Sequence, residues 1–190
     1  MQNKNTQVDF ENEDAYLVSG AIILENLQSR WLVELSDRLY PFDCKASFKL
    51  EACSKRIQRN MEQLTLLYTE QFGLPLRPSD MSGYTNSFRN RFAGEKHFLI
   101  INREMAHRCL SKIHEATCEV VEFFKWATRG MQDKSLLAYF QEMIALREVL
   151  VMILGHYVSE YHPEGRPPYG VEEASFWRPI EPLDISYSLD

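Results

Sequence analysis

A stripe of reactive side chains runs along one predicted helix in the middle of the chain. Its members are Glu104, His107, Ser111, His114 and Cys118. They recur every three or four residues, so an α-helix places them on one face. Carboxylate, imidazole and thiol groups ligate transition metals and transfer protons. The stripe therefore predicts a place for chemistry, without specifying a reaction.

A metal site is the most specific chemistry that these spacings allow. If the third and fourth predicted helices form an antiparallel hairpin, Glu104 and His107 lie near His156 and Glu160. The Glu-x-x-His spacing is that of carboxylate-bridged metal bundles, although the second such motif of a di-iron site is missing here. A bundle that holds a transition metal ion through these four residues is one alternative. Histidines that only hydrogen-bond beside an apolar seam are the other, and we expect no cofactor.

Arg108 and His114 are separated by five residues on the same predicted helix. This pair resembles the Arg-x(4–6)-His signature of the HEPN family of small helical ribonucleases, over residues 108–114. The resemblance implies a pair that acts on an RNA phosphate across a dimer interface. An isoelectric point of about 5.4 disfavours non-specific binding to nucleic acid. An RNA-acting bundle is thus a second alternative, and nucleic acid is not the expected partner.

Other catalytic motifs are missing from the sequence. Cys118 follows His114 by four residues, but no Gly-rich turn that could form an oxyanion hole accompanies them. Phosphate-binding loops, nucleophile elbows and the His-Glu-x-x-His motif do not occur. The sequence favours a protein that is not an enzyme.

Four long segments with helical periodicity must position these groups. We predict helices over 14–40, 44–72, 97–129 and 133–161. Pro41, Gly73 and Gly130 mark helix ends, and Asp133 is a favourable N-cap. The apolar stripe of the third helix comprises Ala106, Leu110, Ile113, Thr117, Val120, Phe124 and Ala127. The sequence therefore predicts an all-α four-helix bundle over 13–162. It has a long connection between the second and third helices and extended arms at 1–12 and 163–190.

The fourth predicted helix is apolar on most of its sides. Such a helix is typical of the centre of a bundle. An apolar surplus on this helix would also provide a face on which a partner docks.

Composition restricts the class of protein. The chain has 190 residues, of which 45% are hydrophobic, and no apolar run approaches the roughly 20 residues that span a bilayer. Residues 1–13 are polar and lack the apolar centre of a signal peptide. We therefore expect a cytoplasmic protein with no membrane span. Its four cysteines form no Cys-x-x-Cys motif, so we expect free and mostly buried thiols.

The net charge of −6 is unevenly distributed. Residues 45–112 carry twelve basic and six acidic residues, whereas both flanking parts are acidic. A basic middle indicates either an anionic partner or neutralisation within the fold. Arg89 and Arg91, in the long connection, are candidate contacts for such a partner.

The C-terminal arm combines prolines with large apolar residues. The candidates for partner binding are Phe176, Trp177, Ile180 and Leu183. Such an arm either folds back on its own bundle or docks on another chain. We expect a non-enzymatic interaction protein: an adaptor, chaperone or regulatory subunit. Its partner is another protein, in a hetero-complex or a homodimer.

Overall fold

Four long α-helices make up most of the described chain. The structure, a computed structural model, describes residues 13–73 and 99–164. In chain order the helices are α1 (Glu13–Leu39), α2 (Cys44–Phe72), α3 (Arg103–Gly130) and α4 (Lys134–Glu160). Within those residues no strand occurs. The all-α, four-helix fold predicted from the sequence is confirmed. The predicted connection and almost all of the predicted arms lie outside the described residues.

Capping residues explain where the helices begin and end. Asp43 accepts a hydrogen bond at 2.9 Å from the backbone N–H three residues later. Gly73 closes α2 in the left-handed conformation, with φ of 59°, which glycine adopts without steric cost. Asp133 begins α4 by accepting hydrogen bonds at 2.8 and 2.9 Å from the second and third N–H groups after it. The bounds predicted for α2 are therefore confirmed.

The start predicted for α3 is wrong. The helix begins at Arg103, because Asn102 accepts a hydrogen bond from the Met105 N–H at 2.9 Å and caps it. Just before the cap, the buried Ile100 donates its N–H to the carbonyl oxygen of Arg38 at 2.9 Å. Ile100 thus belongs to a contact with α1 rather than to the helix, whereas Leu99 and Ile101 are 57% and 64% exposed.

Two helical hairpins pack together to form the bundle. α1 pairs with α2, α3 pairs with α4, and α1 also packs against α3. At one end, Asp14 accepts hydrogen bonds from the backbone N–H groups of Gln132 and Asp133 at 3.2 and 3.1 Å. At the other end, Tyr161 donates a hydrogen bond to Asp43. Side chains therefore join the hairpins at both ends.

The helix with the most buried residues is α1, not α4 as the sequence suggested. Small residues such as Ser19 and Ala21 are buried along α1 and let its neighbours approach closely. On α4, Val149 and Met152 are 47% and 67% exposed. The prediction of a central α4 is wrong because part of its apolar surplus faces outward. Even so, none of the described helices has the length and hydropathy of a membrane span.

The four cysteines form no disulfide in the described residues, which contain all of them. The prediction of free thiols is confirmed. The expectation that they are mostly buried holds only for Cys109, since Cys44 is exposed and the other two are half-buried.

Candidate functional site

His107 lies where α3 begins and α4 ends. Its Nδ1 atom is 3.0 Å from the carbonyl oxygen of Val158. Because a carbonyl oxygen only accepts, Nδ1 carries the proton and Nε2 of the neutral ring keeps a lone pair. The ring of His162 approaches edge-on, with 4.9 Å between the centroids. A backbone carbonyl that orients the ring in this way is common around metal-binding histidines.

The other predicted metal ligands are not gathered around His107. The side chain of Glu104 is exposed. His156 places Nε2 3.6 Å from a carboxylate oxygen of Glu160, and the His156 side chain is 72% exposed. Across residues 13–73 and 99–164, no three His, Cys, Asp or Glu side chains are grouped as a metal site requires. The structure brings His156 and Glu160 together but does not assemble the predicted set of four, and the metal ion stays a prediction.

Arg108 and His114 occupy different environments on α3. Arg108 is exposed, whereas His114 is half-buried against Gly155 of α4. A Cβ atom at Gly155 would lie 3.4 Å from His114 Nε2, so glycine leaves room for the imidazole. Burial raises the pKa of the Cys118 thiol, which disfavours the nucleophilic thiolate. His114 is thus packed between α3 and α4, whereas Arg108 is exposed.

The residues predicted to bind a partner are all outside the described ranges. They are Phe176, Trp177, Ile180, Leu183, Arg89 and Arg91. Their role stays a prediction. The side chains whose geometry is described lie on the four helices and at their ends.

A buried ion pair between α1 and α4 was not predicted from the sequence. The side chains of Glu25 and Arg147 are 0% and 3% exposed and share a hydrogen bond. Burial raises the pKa of Glu25, and the neighbouring Arg147 opposes that shift. Glu25 Oε1 and Arg147 Nε have no hydrogen-bond partner among the described residues. Since the pair is buried, it is not accessible to a solute.

Further polar side chains extend this pair into a layer across the bundle. Gln28 donates a hydrogen bond to the Thr117 hydroxyl at 2.8 Å. The hydroxyls of Ser29 and Ser54 are 3.0 Å apart. On either side of the layer lie two separate apolar clusters, one around Phe124 and one around Leu110. A buried polar group has partners in only one arrangement of the helices, so the layer favours this packing over others.

A sequence signal for this layer did exist. Arg147 stands at a seam position of α4, between residues spaced by threes and fours: Phe140, Met143, Leu150 and Leu154. All four of these are buried. A charged residue in such a seam indicates a buried ionic partner, although the sequence does not say which one.

The outer face of α2 carries the concentration of charge that we call the basic face. Its members are Lys45, Lys49, Lys55, Arg56 and Arg59, all of them exposed. They fall within the first sixteen residues of the helix, which contain one acidic residue, Glu51. Of the five, only Lys55 is ion-paired in the described part of the chain, with Glu51 at 2.7 Å.

Two aromatic side chains lie beside the basic face. Tyr40 and Phe48 are 54% and 58% exposed, and their rings meet edge to face with 5.8 Å between centroids. On the other flank, the ammonium of Lys49 lies 5.6 Å from the ring centroid of Tyr157. The face therefore combines fixed positive charge with exposed apolar area, as protein-binding surfaces do.

Only Lys45 of the basic face lies in the first turn of α2, where a helix carries partial positive charge. The carboxylate of the N-cap Asp43 lies at the same end and accepts a hydrogen bond from the Ala46 N–H. The other four cations lie beyond the first turn, where the helix dipole has little effect.

No family model, curated protein or solved structure matches the chain.

Proposed function

We propose that the protein is a non-enzymatic interaction module that binds another protein in the cytoplasm. It acts as an adaptor, a chaperone or a regulatory subunit. The supporting observation is the basic face of α2, where four of the five exposed cations have no carboxylate partner in the described residues. Charge of one sign on such a face accelerates association and selects acidic partners.

The exposed pair Tyr40–Phe48 provides an apolar anchor for that partner. Aromatic residues contribute most of the binding energy in many interfaces, and charges around them fix the orientation. On α4, the exposed Val149 and Met152 add a second apolar contact. The arm residues Phe176 and Trp177 belong to the same proposal as a further docking element.

Affinity isolation with matched charge-reversal variants tests this function. The tagged wild-type chain is recovered gently from its own cells, and the bound polypeptides are measured by quantitative mass spectrometry. We expect an acidic polypeptide at a fixed ratio to the chain. In the variant Lys49→Glu, Arg56→Glu, Arg59→Glu its recovery should fall at least tenfold, because three attractions become repulsions.

The control variant changes the net charge by the same amount elsewhere. It is Arg108→Glu, Arg129→Glu, Lys134→Glu, all exposed positions outside α2, and it should retain the partner. Both variants are first matched in melting temperature to the wild type. Equal loss in the two variants, loss after nuclease treatment, or no stoichiometric polypeptide with the wild-type chain would refute the proposal.

A further inference from the structure

The described chain ends next to the N-terminus of α2. Tyr161, just after α4, donates a hydrogen bond to Asp43, the N-cap of α2. Its ring also meets the Phe42 ring edge-on, with 5.5 Å between centroids. One turn earlier, Tyr157 contacts the ammonium of Lys49. The described chain therefore ends at Glu164, three residues after a contact with the N-terminus of α2.

The segment that starts there has the complementary charge. Residues 165–190 contain two basic and five acidic residues, the latter being Glu172, Glu173, Glu181, Asp184 and Asp190. Phe176 and Trp177 follow two residues after the first acidic pair. Acidic and aromatic groups thus occur together on the segment, as basic and aromatic groups do on α2.

The segment is long enough to cover the whole face. From Lys45 to Arg59 the helix rises by about 21 Å, at 1.5 Å per residue. The eight residues from Glu164 to Glu172 span up to about 26 Å when extended. Glu172 and Glu173 can therefore reach any of the five cations, including Arg56 and Arg59 at the far end.

We propose that residues 165–190 dock on the basic face of α2 of the same chain. The acidic side chains pair with the cations that have no carboxylate partner among the described residues, and Phe176 or Trp177 packs on Tyr40 and Phe48. The inference goes beyond the proposed function, since it states what covers the face before any partner binds. A partner protein would then compete with the segment for one surface.

Zero-length cross-linking of the purified full chain tests this docking. A carbodiimide joins a lysine to a carboxylate only when the two are in contact, and peptide mass spectrometry locates the products. We expect Lys45 or Lys49 joined to Glu172 or Glu173. In Arg56→Glu, Arg59→Glu, which keeps these lysines and acids as reporters, the yield should fall about tenfold, since each exposed pair changes the equilibrium severalfold. In 1 M salt, where the Debye length is about 3 Å, the yield should fall similarly.

Three controls make the result decisive. Arg108→Glu, Arg129→Glu changes the net charge equally and should alter the yield by less than twofold. A mixture of isotope-labelled and unlabelled chains should give cross-links within one copy only. Products spread equally over Lys112, Lys125 and Lys134, equal loss in both variants, or cross-links between labelled and unlabelled copies would each overturn the proposal. The measurement involves no partner, so its failure leaves the proposed function to its own test.

Discussion

Arg147 occupies a core position of α4 and depends on one carboxylate of α1. Because guanidinium does not lose its proton near neutral pH, removal of Glu25 leaves a buried and uncompensated charge. Removal of Arg147 is less severe, since burial already raises the pKa of Glu25 and the carboxyl can protonate. The two halves of the pair are therefore not equivalent.

Single and double substitutions of the pair should show this asymmetry. We expect Glu25→Leu to lower the free energy of unfolding by about 3–5 kcal/mol, and Arg147→Met by less. The double variant should be more stable than Glu25→Leu alone, because no buried charge remains. Urea denaturation at pH 7 measures all three, and simple additivity would contradict the coupling.

The pH dependence of stability tests the protonation of the same carboxyl group, that of Glu25. Arg147→Met removes the interaction that lowers the pKa of Glu25, so in this variant the folded-state pKa rises further above the reference value of 4.5. A group whose pKa is raised by folding stabilises the fold below its unfolded pKa and loses that contribution as the pH rises. The stability deficit of Arg147→Met relative to wild type should therefore widen as the pH rises above 4.5. A constant deficit would mean that removing Arg147 does not change the protonation of Glu25.

Tyr139 should make the stability of the fold depend on pH in the alkaline range. Its hydroxyl donates to the carbonyl oxygen of Asn60 at 2.9 Å, and burial, followed by Glu25, raises its pKa from 10.0 to about 12. The phenol thus stabilises the fold below pH 10, and this contribution is lost as the pH rises towards 12. Tyr139→Phe should lower stability by about 1 kcal/mol at pH 7. Above pH 10 the free energy of unfolding of Tyr139→Phe, measured by urea denaturation, should decline less steeply with pH than that of the wild type. Tyr40→Phe, at an exposed ring, is the control.

At the scale of helices, local signals account for what the sequence predicted well. Asp43 begins α2 through a side-chain hydrogen bond to the Ala46 N–H, and Gly73 ends it through its left-handed backbone, so the bounds need no tertiary information. The start of α3 also has a local signal, the Asn102 cap, but the apolar residues before it extended the helical pattern in the sequence. Hydrophobic periodicity alone does not distinguish an apolar segment that precedes a helix from the helix itself.

The N-cap of α4 should make a measurable contribution to the free energy of unfolding. Asp133→Ala removes the acceptor of two backbone N–H groups and should lower the free energy of unfolding by about 1 kcal/mol. Asp37→Ala removes an exposed carboxylate within α1 and should stay within about 0.5 kcal/mol of wild type. Equal effects in thermal or urea unfolding would mean that the cap is not used.

Candidate sites were harder to predict than helices because they depend on contacts between distant residues. His107 and His156 were predicted to meet from ideal rise alone, but the former binds the carbonyl of Val158 and the latter pairs with Glu160. The basic residues of α2 were visible in the sequence. That all but Lys55 lack a carboxylate partner among the described residues is a tertiary property.

For the molecule as a whole, the polar layer raises the question of whether the two apolar clusters unfold separately. All four helices run through both clusters, and the partly buried Trp31 packs against each of them. We therefore expect a single cooperative transition.

Truncations in each cluster test this cooperativity. Leu24→Ala and Leu110→Ala, both at fully buried positions, should each lower stability by about 2–5 kcal/mol. Their effects should add to within about 0.5 kcal/mol, with an unchanged denaturant slope. Two resolved transitions by circular dichroism, or a loss of slope in one variant only, would show that the layer divides the molecule into independent units.

The contacts between the two hairpins of one chain can also form between hairpins of two different copies. Glu25–Arg147, Asp14 with the α3–α4 turn, and Tyr161–Asp43 all join one hairpin to the other. Two copies that swap hairpins would therefore reproduce every one of these contacts, and the ion pair gives no discrimination between monomer and swapped dimer. Protein concentration, rather than the sequence of the core, then decides which assembly forms during refolding.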